Sequence, residues 1–263
     1  MTYNLVELEA LYGKHWQPNY GSIAKDEVLF VQDLIETHKP KHFLEIGMAS
    51  GLSGGILANI LEANGAESFT TIDHDNTFFG DTTKKNGFLI DQIFNGGDLA
   101  VIKKPFTTSL DLAALGVHFD MAFIDANHQQ PWPMIDTLCL YPYLTGPKII
   151  VHHDYCLFRN QDIVYGIGPK SLFDQFSEAE RIISTANEGN IFGIRLEDTT
   201  RESLEAAAIN CFYLPWSLRH PLQPNLVSRI VGIFKEHYSP ALCTAFEKGI
   251  AKFNNLGRLR VGV

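Results

Sequence analysis

Short apolar runs alternate along the first 155 residues with stretches whose apolar residues recur at helical spacing. In residues 26–38, for example, Val28, Val31 and Ile35 share one helical face, and Pro40 ends the helix. This alternation predicts an α/β fold, a Rossmann-like, doubly wound and mostly parallel sheet with helices on both faces. The predicted strands are HFLEI, SFTTID, LAVIK, FDMAFID and PKIIVHHD, and further helices are predicted at residues 52–62 and 132–141.

The pattern changes in the last third of the chain. Residues 180–197 contain two β-type runs joined by ANEGN, which predicts an antiparallel hairpin that closes the sheet. Residues 199–263 read as helices, the last of which begins at Ser239 and ends at Gly257. We therefore predict one ligand-binding domain with N-terminal helices over residues 1–198 and a helical C-terminal extension over residues 199–263. The extension is expected to cover the substrate or to join two subunits.

Composition and charge narrow the class of partner. The 263 residues are 45% hydrophobic, which is ample for a buried core, and the formal net charge is -9. Nucleic acids and anionic membranes attract clustered positive charge, so we expect neither as a partner and predict a small-molecule ligand. The four cysteines form no C-x-x-C pair, which favours reduced thiols. Because no secretory or membrane-spanning pattern is recognised, we expect a soluble cytoplasmic protein.

A glycine-punctuated turn follows the first predicted strand in KHFLEIGMASGLSGG. Glu45, Gly47 and Gly51 form an E-x-G-x-x-x-G pattern, in which bare glycines let a ligand lie against the backbone. Asp73 ends the next strand, where a carboxylate can bind both hydroxyls of a ribose. Ala49 replaces the second close glycine of a dinucleotide site, and no G-K-[ST] follows. An adenosine-like ligand with little negative charge is therefore predicted.

A second group of polar residues follows the later strands, in FIDANHQQPW and IIVHHDY. Asp125 and Asp154 end two parallel-type runs, so both carboxylates reach the ligand edge of the sheet with His128 nearby. One of His152 and His153 must point to the opposite face of the strand and pack in the core. Taken together, these groups favour a metal site or an acid/base site, and the oxygen donors suit magnesium or manganese.

The glycine turn and the acidic strand end resemble the first motifs of class I S-adenosylmethionine-dependent methyltransferases, over roughly residues 25–197. The resemblance implies that Gly47 to Gly51 hold the methionine portion of the cofactor, Asp73 its ribose and His74 its adenine. Residues 1–198 would then be the cofactor-binding domain. The residues expected to contact S-adenosylmethionine are Glu45, Gly47, Ser50, Gly51, Asp73, His74 and Asp125.

FIDANH and HHDY further resemble segments of small-molecule O-methyltransferases, including metal-dependent enzymes that methylate sugar hydroxyls. The resemblance implies that Asp125, His153 and Asp154 hold a divalent metal (magnesium or manganese), with Asp125 and His128 catalytic and His128 the general base. His153 departs from the family, whose members carry Asp or Glu there. It either shifts metal preference toward manganese or iron, or marks a site where the histidines act without metal.

The expected function is methyl transfer from S-adenosylmethionine to a hydroxyl of a small molecule, a sugar or a phenol-like compound, by a homo-oligomeric enzyme. A nicotinamide-dependent oxidoreductase is one alternative, disfavoured by the glycine spacing. A non-catalytic scaffold protein with the same fold is the other. The loop after the last parallel strand is expected to contact the substrate or the C-terminal helices through Tyr155, Phe158, Arg159, Asn160 and Tyr165.

Overall fold

A computed structural model of the chain describes residues 2–159 and 165–260. The described residues contain a single seven-stranded sheet. Its strands are β1 (His42–Ile46), β2 (Ser68–Asp73), β3 (Ala100–Pro105), β4 (Phe119–Ile124), β5 (Leu144–His152), β6 (Arg181–Ile183) and β7 (Phe192–Arg195). The α-helices are α1 (Leu5–His15), α2 (Lys25–His38), α3 (Leu52–Ala63), α4 (Ile90–Ile93), α5 (Trp132–Leu140), α6 (Gly168–Phe173), α7 (Arg201–Tyr213), α8 (Pro224–His237) and α9 (Pro240–Arg260).

The strand order is β3-β2-β1-β4-β5-β7-β6. Strands β1 to β5 pair in parallel, whereas β7 is antiparallel to both β5 and β6. The predicted Rossmann-like sheet with an antiparallel closing hairpin and C-terminal helices is therefore confirmed. Because the chain reverses its strand order between β1 and β4, the carboxyl ends of these two strands flank the crevice in which such sheets bind ligands.

Two hydrophobic cores lie on opposite faces of the sheet. Successive residues of β1 alternate between them, since Phe43 belongs to one cluster and Leu44 to the other. Helices α2 and α3 contribute Val31 and Leu57 to the Phe43 cluster. Both faces of the central strands are thus buried, which explains why their sequences are almost continuously apolar.

The C-terminal helices share the second core with the sheet. Phe212 of α7, Phe234 of α8 and Phe246 of α9 are fully buried and belong to the same cluster as Leu44. Their rings contact one another, with centroids 5.3 Å apart for Phe212 and Phe246 and 5.4 Å apart for Phe234 and Phe246. Helix α9 continues past the predicted end at Gly257 to Arg260. None of the described helices is long and apolar enough to cross a membrane.

Candidate active site

The backbone of the turn after β1 requires glycine at two positions. Gly47 has φ +104°, and a Cβ there would lie 2.1 Å from the carbonyl oxygen of Asp125. Gly51 has φ +82°, and a Cβ there would lie 2.7 Å from Cα of Gly87. Positive φ values favour glycine, and these contacts leave no space for any side chain. The turn therefore packs closely against the end of β4 and the loop before α4.

Asp73 connects the turn to the end of β2. Its Oδ2 accepts a hydrogen bond from the backbone N–H of Met48 (2.9 Å), and its Oδ1 accepts one from Asp75 (3.1 Å). Burial alone would raise the pKa of Asp73, but the hydrogen bond from His74 and the backbone N–H donors hold it below its ordinary value. Asp73 is therefore a carboxylate at neutral pH, held at the predicted ribose position.

An exposed aromatic residue lies beside this carboxylate. Phe106 follows β3, whose last residue Pro105 pairs with Asp73, and the N–H of Thr107 donates to the Asp73 carbonyl (2.8 Å). Phe106 is 71% exposed and has φ +56°, a conformation that non-glycine residues rarely adopt. The His74 side chain, 83% exposed, lies at the same sheet edge. Phe106 was not among the predicted site residues, although its position just after a parallel strand was a usable signal.

Glu45 lies under the turn rather than in the crevice. It is 1% exposed, accepts a hydrogen bond from Thr71 Oγ1 (2.5 Å), and packs against Gly54 of α3. Burial raises its pKa to about 8, with the Thr71 hydrogen bond opposing the rise. Ser50, also buried, accepts the N–H of Leu52 at the start of α3 and so shapes the same turn.

The second predicted constellation converges as expected. Asp125, His128 and Asp154 each offer a donor atom within 4.8 Å of the others, the arrangement of a metal site among the residues that the structure describes. His128 Nε2 lies 3.3 Å from Asp125 Oδ1 and 3.4 Å from Asp154 Oδ2. Asp154 has φ +62°, a strained value for a non-glycine residue. The predicted metal ligands Asp125 and Asp154 thus meet, with His128 between them.

His153, the third predicted ligand, lies directly behind this cluster. Its Nδ1 is 3.2 Å from Asp125 Oδ1 and 3.5 Å from Asp154 Oδ1, yet this buried atom makes no hydrogen bond of good geometry within the described part of the chain. Its Nε2 lies 3.1 Å from Oε2 of Glu27, a fully buried carboxylate of α2. Glu27 was not among the predicted site residues, because it is 126 positions away from His153 in the chain.

The neighbouring His152 has no part in the cluster. It points to the opposite face of β5, where it stacks on Phe192 with ring centroids 5.5 Å apart and contacts Thr137 Oγ1 at 3.2 Å. Burial lowers the pKa of His152 to about 3, so the ring is neutral. One of the two adjacent histidines therefore packs in the core, as predicted.

The imidazoles and carboxylates of the cluster stabilise each other's charged forms. Burial disfavours the charged form of His128, but the hydrogen bond and charge of Asp125, together with the charge of Asp154, raise its pKa above the ordinary value. Burial also opposes charge on His153, whose pKa is nonetheless raised by Asp125 and Glu27. The pKa of Asp125 is correspondingly low, because both imidazoles outweigh the effect of its burial. Asp125 is therefore ionised and requires positive partners.

The loop that carries His128 is held by the C-terminal extension. Gln130 is fully buried, and its backbone N–H donates to Ser217 Oγ (2.8 Å) in the segment between α7 and α8. Two residues on, the Arg219 guanidinium lies 4.3 Å from the ring centroid of Tyr165. The predicted substrate-contacting residue Asn160 lies outside the described residues. The extension therefore reaches the rim of the candidate site.

Residues 44–155 match the sequence profile of a protein family described as a methyltransferase domain. Over these residues the chain is similar to methyltransferase domains. The matched segment spans the glycine turn, Asp73 and the Asp125–Asp154 cluster, and it confirms the resemblance to class I S-adenosylmethionine-dependent methyltransferases. No curated protein sequence matches the chain.

Solved structures share the fold of this chain at low sequence identity. A Staphylococcus aureus protein assigned as a caffeoyl-CoA O-methyltransferase is 14% identical, with a TM-score of 0.50 over 74% of this chain and 93% of that one. The O-methyltransferase TomG of Streptomyces achromogenes, solved with S-adenosylmethionine, is 15% identical, with a TM-score of 0.49 over 74% and 91%. The SAH-bound methyltransferase PaMTH1 of Podospora anserina is 18% identical, with a TM-score of 0.49 over 73% and 88%.

Proposed function

We propose that this protein is an S-adenosylmethionine-dependent O-methyltransferase that acts on a hydroxyl group of a small molecule. The observation that carries the proposal is the joining of two sites at one sheet edge. Gly47 of the turn packs directly on the backbone of Asp125, and Asp125 in turn contacts His128. A cofactor on the turn and an acceptor at the cluster would therefore be neighbours, as methyl transfer requires.

Cofactor binding is assigned to the turn and to the ends of β2 and β3. The ionised Asp73 is assigned to the ribose hydroxyls. Its Oδ2 accepts the N–H groups of Met48 and Ala49 (2.9 and 3.4 Å), and its Oδ1 accepts that of Asp75 (3.1 Å). The exposed His74 ring, 3.2 Å from Oδ1, is the partner that a ribose hydroxyl would replace. Phe106 and His74 offer exposed rings for the adenine beside it. When bound, S-adenosylmethionine supplies an electrophilic methyl carbon. Gly47 to Gly51 present backbone to its methionine portion, and Glu45 supports that turn from below.

Proton removal is assigned to His128. The acceptor hydroxyl must lose its proton as the methyl group is transferred, and an imidazole with a pKa near neutrality is the usual side chain for that step. His128 Nε2 lies between Asp125 and Asp154, which stabilise the imidazolium that forms when it takes the proton. Asp125 therefore contacts the turn through its backbone and the proposed base through its side chain.

A divalent cation fits the same residues, and we include one in the proposal. Asp125, Asp154 and His153 would hold it, since the unpartnered, buried Nδ1 of His153 faces both carboxylates. When bound, such a cation lowers the pKa of an alcohol, as it does for water. The three side chains also fix where the acceptor oxygen can lie relative to His128.

The test measures cofactor binding by calorimetry and methyl transfer by turnover. We expect S-adenosylmethionine to bind the purified protein, and methyl transfer to a panel of sugar and phenolic hydroxyl compounds to decrease in chelator and return with magnesium or manganese. Asp154→Ala should reduce turnover far more than cofactor affinity, because Asp154 serves the acceptor side of the site. Absence of cofactor binding would refute the proposal as a whole. Full activity in chelator, with His128→Ala inactive, would remove the metal and leave a histidine base.

A further inference from the structure

We propose that Glu27 fixes His153 in the tautomer whose Nδ1 is free to bind metal, and that the centre consequently prefers a first-row transition metal such as Mn²⁺ over Mg²⁺. The inference rests on the proposed function, because it concerns the metal of that same site. Glu27 is a positioning residue here. It belongs to α2, outside the segment 44–155 that matches the methyltransferase domain.

The hydrogen bonds around Glu27 determine where the His153 proton lies. Oε2 of Glu27 accepts the N–H of Ala24 (2.5 Å), and Oε1 lies within reach of the Asn187 and Asn190 amide groups (3.2 and 3.3 Å). These three neighbours donate, so Glu27 acts as an acceptor. Asn190 Nδ2 also lies 3.3 Å from His153 Nε2, but its two hydrogens have carboxylate acceptors in Glu27 Oε1 and Asp154 Oδ1, so it has none left for that nitrogen. The His153 nitrogen that faces Glu27 must therefore carry a hydrogen.

With Nε2 protonated, Nδ1 presents its lone pair to the cluster. That lone pair faces Asp125 Oδ1 at 3.2 Å and Asp154 Oδ1 at 3.5 Å. A lone pair beside two carboxylates is repulsive unless a cation lies between them. Carboxylate–histidine–metal chains of this kind hold many bound metals and fix the imidazole tautomer. A second proton on Nδ1 is the rival occupant, and the experiment below distinguishes the two.

The distances suit coordination. Two donors bound at about 2.1 Å to one ion lie about 3.0 to 3.4 Å apart in octahedral or tetrahedral geometry. His153 Nδ1 lies 3.2 Å from Asp125 Oδ1, within this range, and 3.5 Å from Asp154 Oδ1, just above it. Asn190 Nδ2 donates to Asp154 Oδ1 (3.1 Å) and so orients the other carboxylate. The donor set is thus two carboxylate oxygens and the His153 imidazole nitrogen, held by a second layer of hydrogen bonds.

This donor set predicts the metal. Mg²⁺ prefers oxygen ligands and retains water, whereas imidazole nitrogen favours Mn²⁺, Fe²⁺ and later first-row ions. The resemblance noted above places Asp or Glu of the related enzymes where this chain has His153. Replacing an oxygen donor by nitrogen at one ligand position should therefore move the preference away from Mg²⁺.

The experiment titrates Mn²⁺ and Mg²⁺ separately into the metal-free full-length protein, with the affinity for S-adenosylmethionine measured in parallel. We expect Mn²⁺ to bind about tenfold or more tightly than Mg²⁺. Glu27→Gln keeps the side-chain shape and an acceptor for the start of α2 but removes the charge. His153→Gln keeps an N–H toward Glu27 but removes the Nδ1 donor. Each should weaken Mn²⁺ binding by about 10- to 100-fold and reduce the Mn²⁺ preference, while cofactor affinity is maintained.

Asp136→Asn is the matched control. Asp136 is a buried carboxylate bonded to Ser109 Oγ (2.5 Å) and lies outside the cluster, so its variant should bind Mn²⁺ like the wild type. Nitrogen NMR of the Zn²⁺-loaded protein should show His153 Nε2 protonated and Nδ1 unprotonated. Equal affinities for the two ions, no metal binding, or a proton on Nδ1 would overturn the inference while leaving methyl transfer intact. Loss of cofactor binding by the wild type would instead refute the proposed function.

Discussion

Glu45 provides a direct test of how the turn is built, because it is an ionisable group sealed inside the sheet. Its pKa is raised from 4.5 to about 8 by burial, so the folded protein holds it as a neutral acid at pH 7. Each pKa unit corresponds to about 1.36 kcal/mol, so ionising Glu45 in the folded state costs about 5 kcal/mol more than in the unfolded chain. The perturbation is Glu45→Gln, which is similar in shape and cannot ionise.

The sign follows from the direction of the shift. A group with a raised folded-state pKa contributes its stability below its unfolded pKa of 4.5 and loses it as pH rises through about 8. The wild type should therefore lose stability with pH through Glu45, whereas the Gln variant should not. We expect the difference in unfolding free energy between them to change by about 4 kcal/mol from about pH 5 to about pH 9, in favour of the variant.

The assay is urea unfolding of both proteins across that pH range, without cofactor. Asp136→Asn is the control, because the pKa of Asp136 is raised only to about 6 and its effect should be complete near neutral pH. The Glu45 difference should continue to grow above that point. A difference that is constant with pH would mean that Glu45 is ionised and hydrated in the folded protein, and the description of the turn would be wrong.

Three further outcomes are expected. Asp73→Ala should weaken S-adenosylmethionine binding by about 1.5 to 3 kcal/mol, measured by calorimetry, and unchanged affinity would place the cofactor elsewhere. Turnover should fall as pH decreases through the raised pKa of His128, above 6.5, because the base must be unprotonated; a pH–rate profile without an acid limb would contradict this. A chain ending at Glu197 should aggregate in size-exclusion chromatography, since it loses buried phenylalanines worth about 1.5 to 3 kcal/mol each; a soluble, monomeric and active product would contradict it.

The central strands were predictable because they are buried on both faces and short. HFLEI and SFTTID coincide with β1 and β2. The edge strand β3 instead alternates between half-buried and exposed positions, and it begins and ends later than the apolar run LAVIK. Strand β5 begins at Leu144, before the predicted start at Pro147, where its pairing with β4 is irregular. Periodicity therefore located strands well in the core and less well where pairing or burial changes.

The candidate site was predictable where residues end strands, and not where they approach from elsewhere. Asp125 and Asp154 meet because the carboxyl ends of β4 and β5 are neighbours, which the alternation of strands and helices already implied. From the sequence alone, Glu27 is an acidic residue in the first turn of a predicted helix, where it stabilises the helix N-terminus. Its burial and its bond to His153 depend on how α2 packs against the hairpin and β5, which no local pattern contains. Phe106 follows β3 directly, so its place at the sheet edge could be predicted, but its left-handed backbone could not.

Residues outside the segment that matches the methyltransferase family hold two histidines of the candidate site in place. Residues 44–155 contain the turn, Asp73 and the acidic cluster, yet the partner of His153 comes from α2 and the partner of the His128 loop comes from Ser217. The N-terminal contact orients an imidazole, whereas the C-terminal contact holds the backbone that presents the other imidazole. Two histidines facing the same carboxylates are thus positioned independently, from opposite ends of the sequence. Substitutions in α2 should therefore affect the nitrogen of His153 that is proposed to face a metal, and substitutions near Ser217 should affect His128, the proposed base.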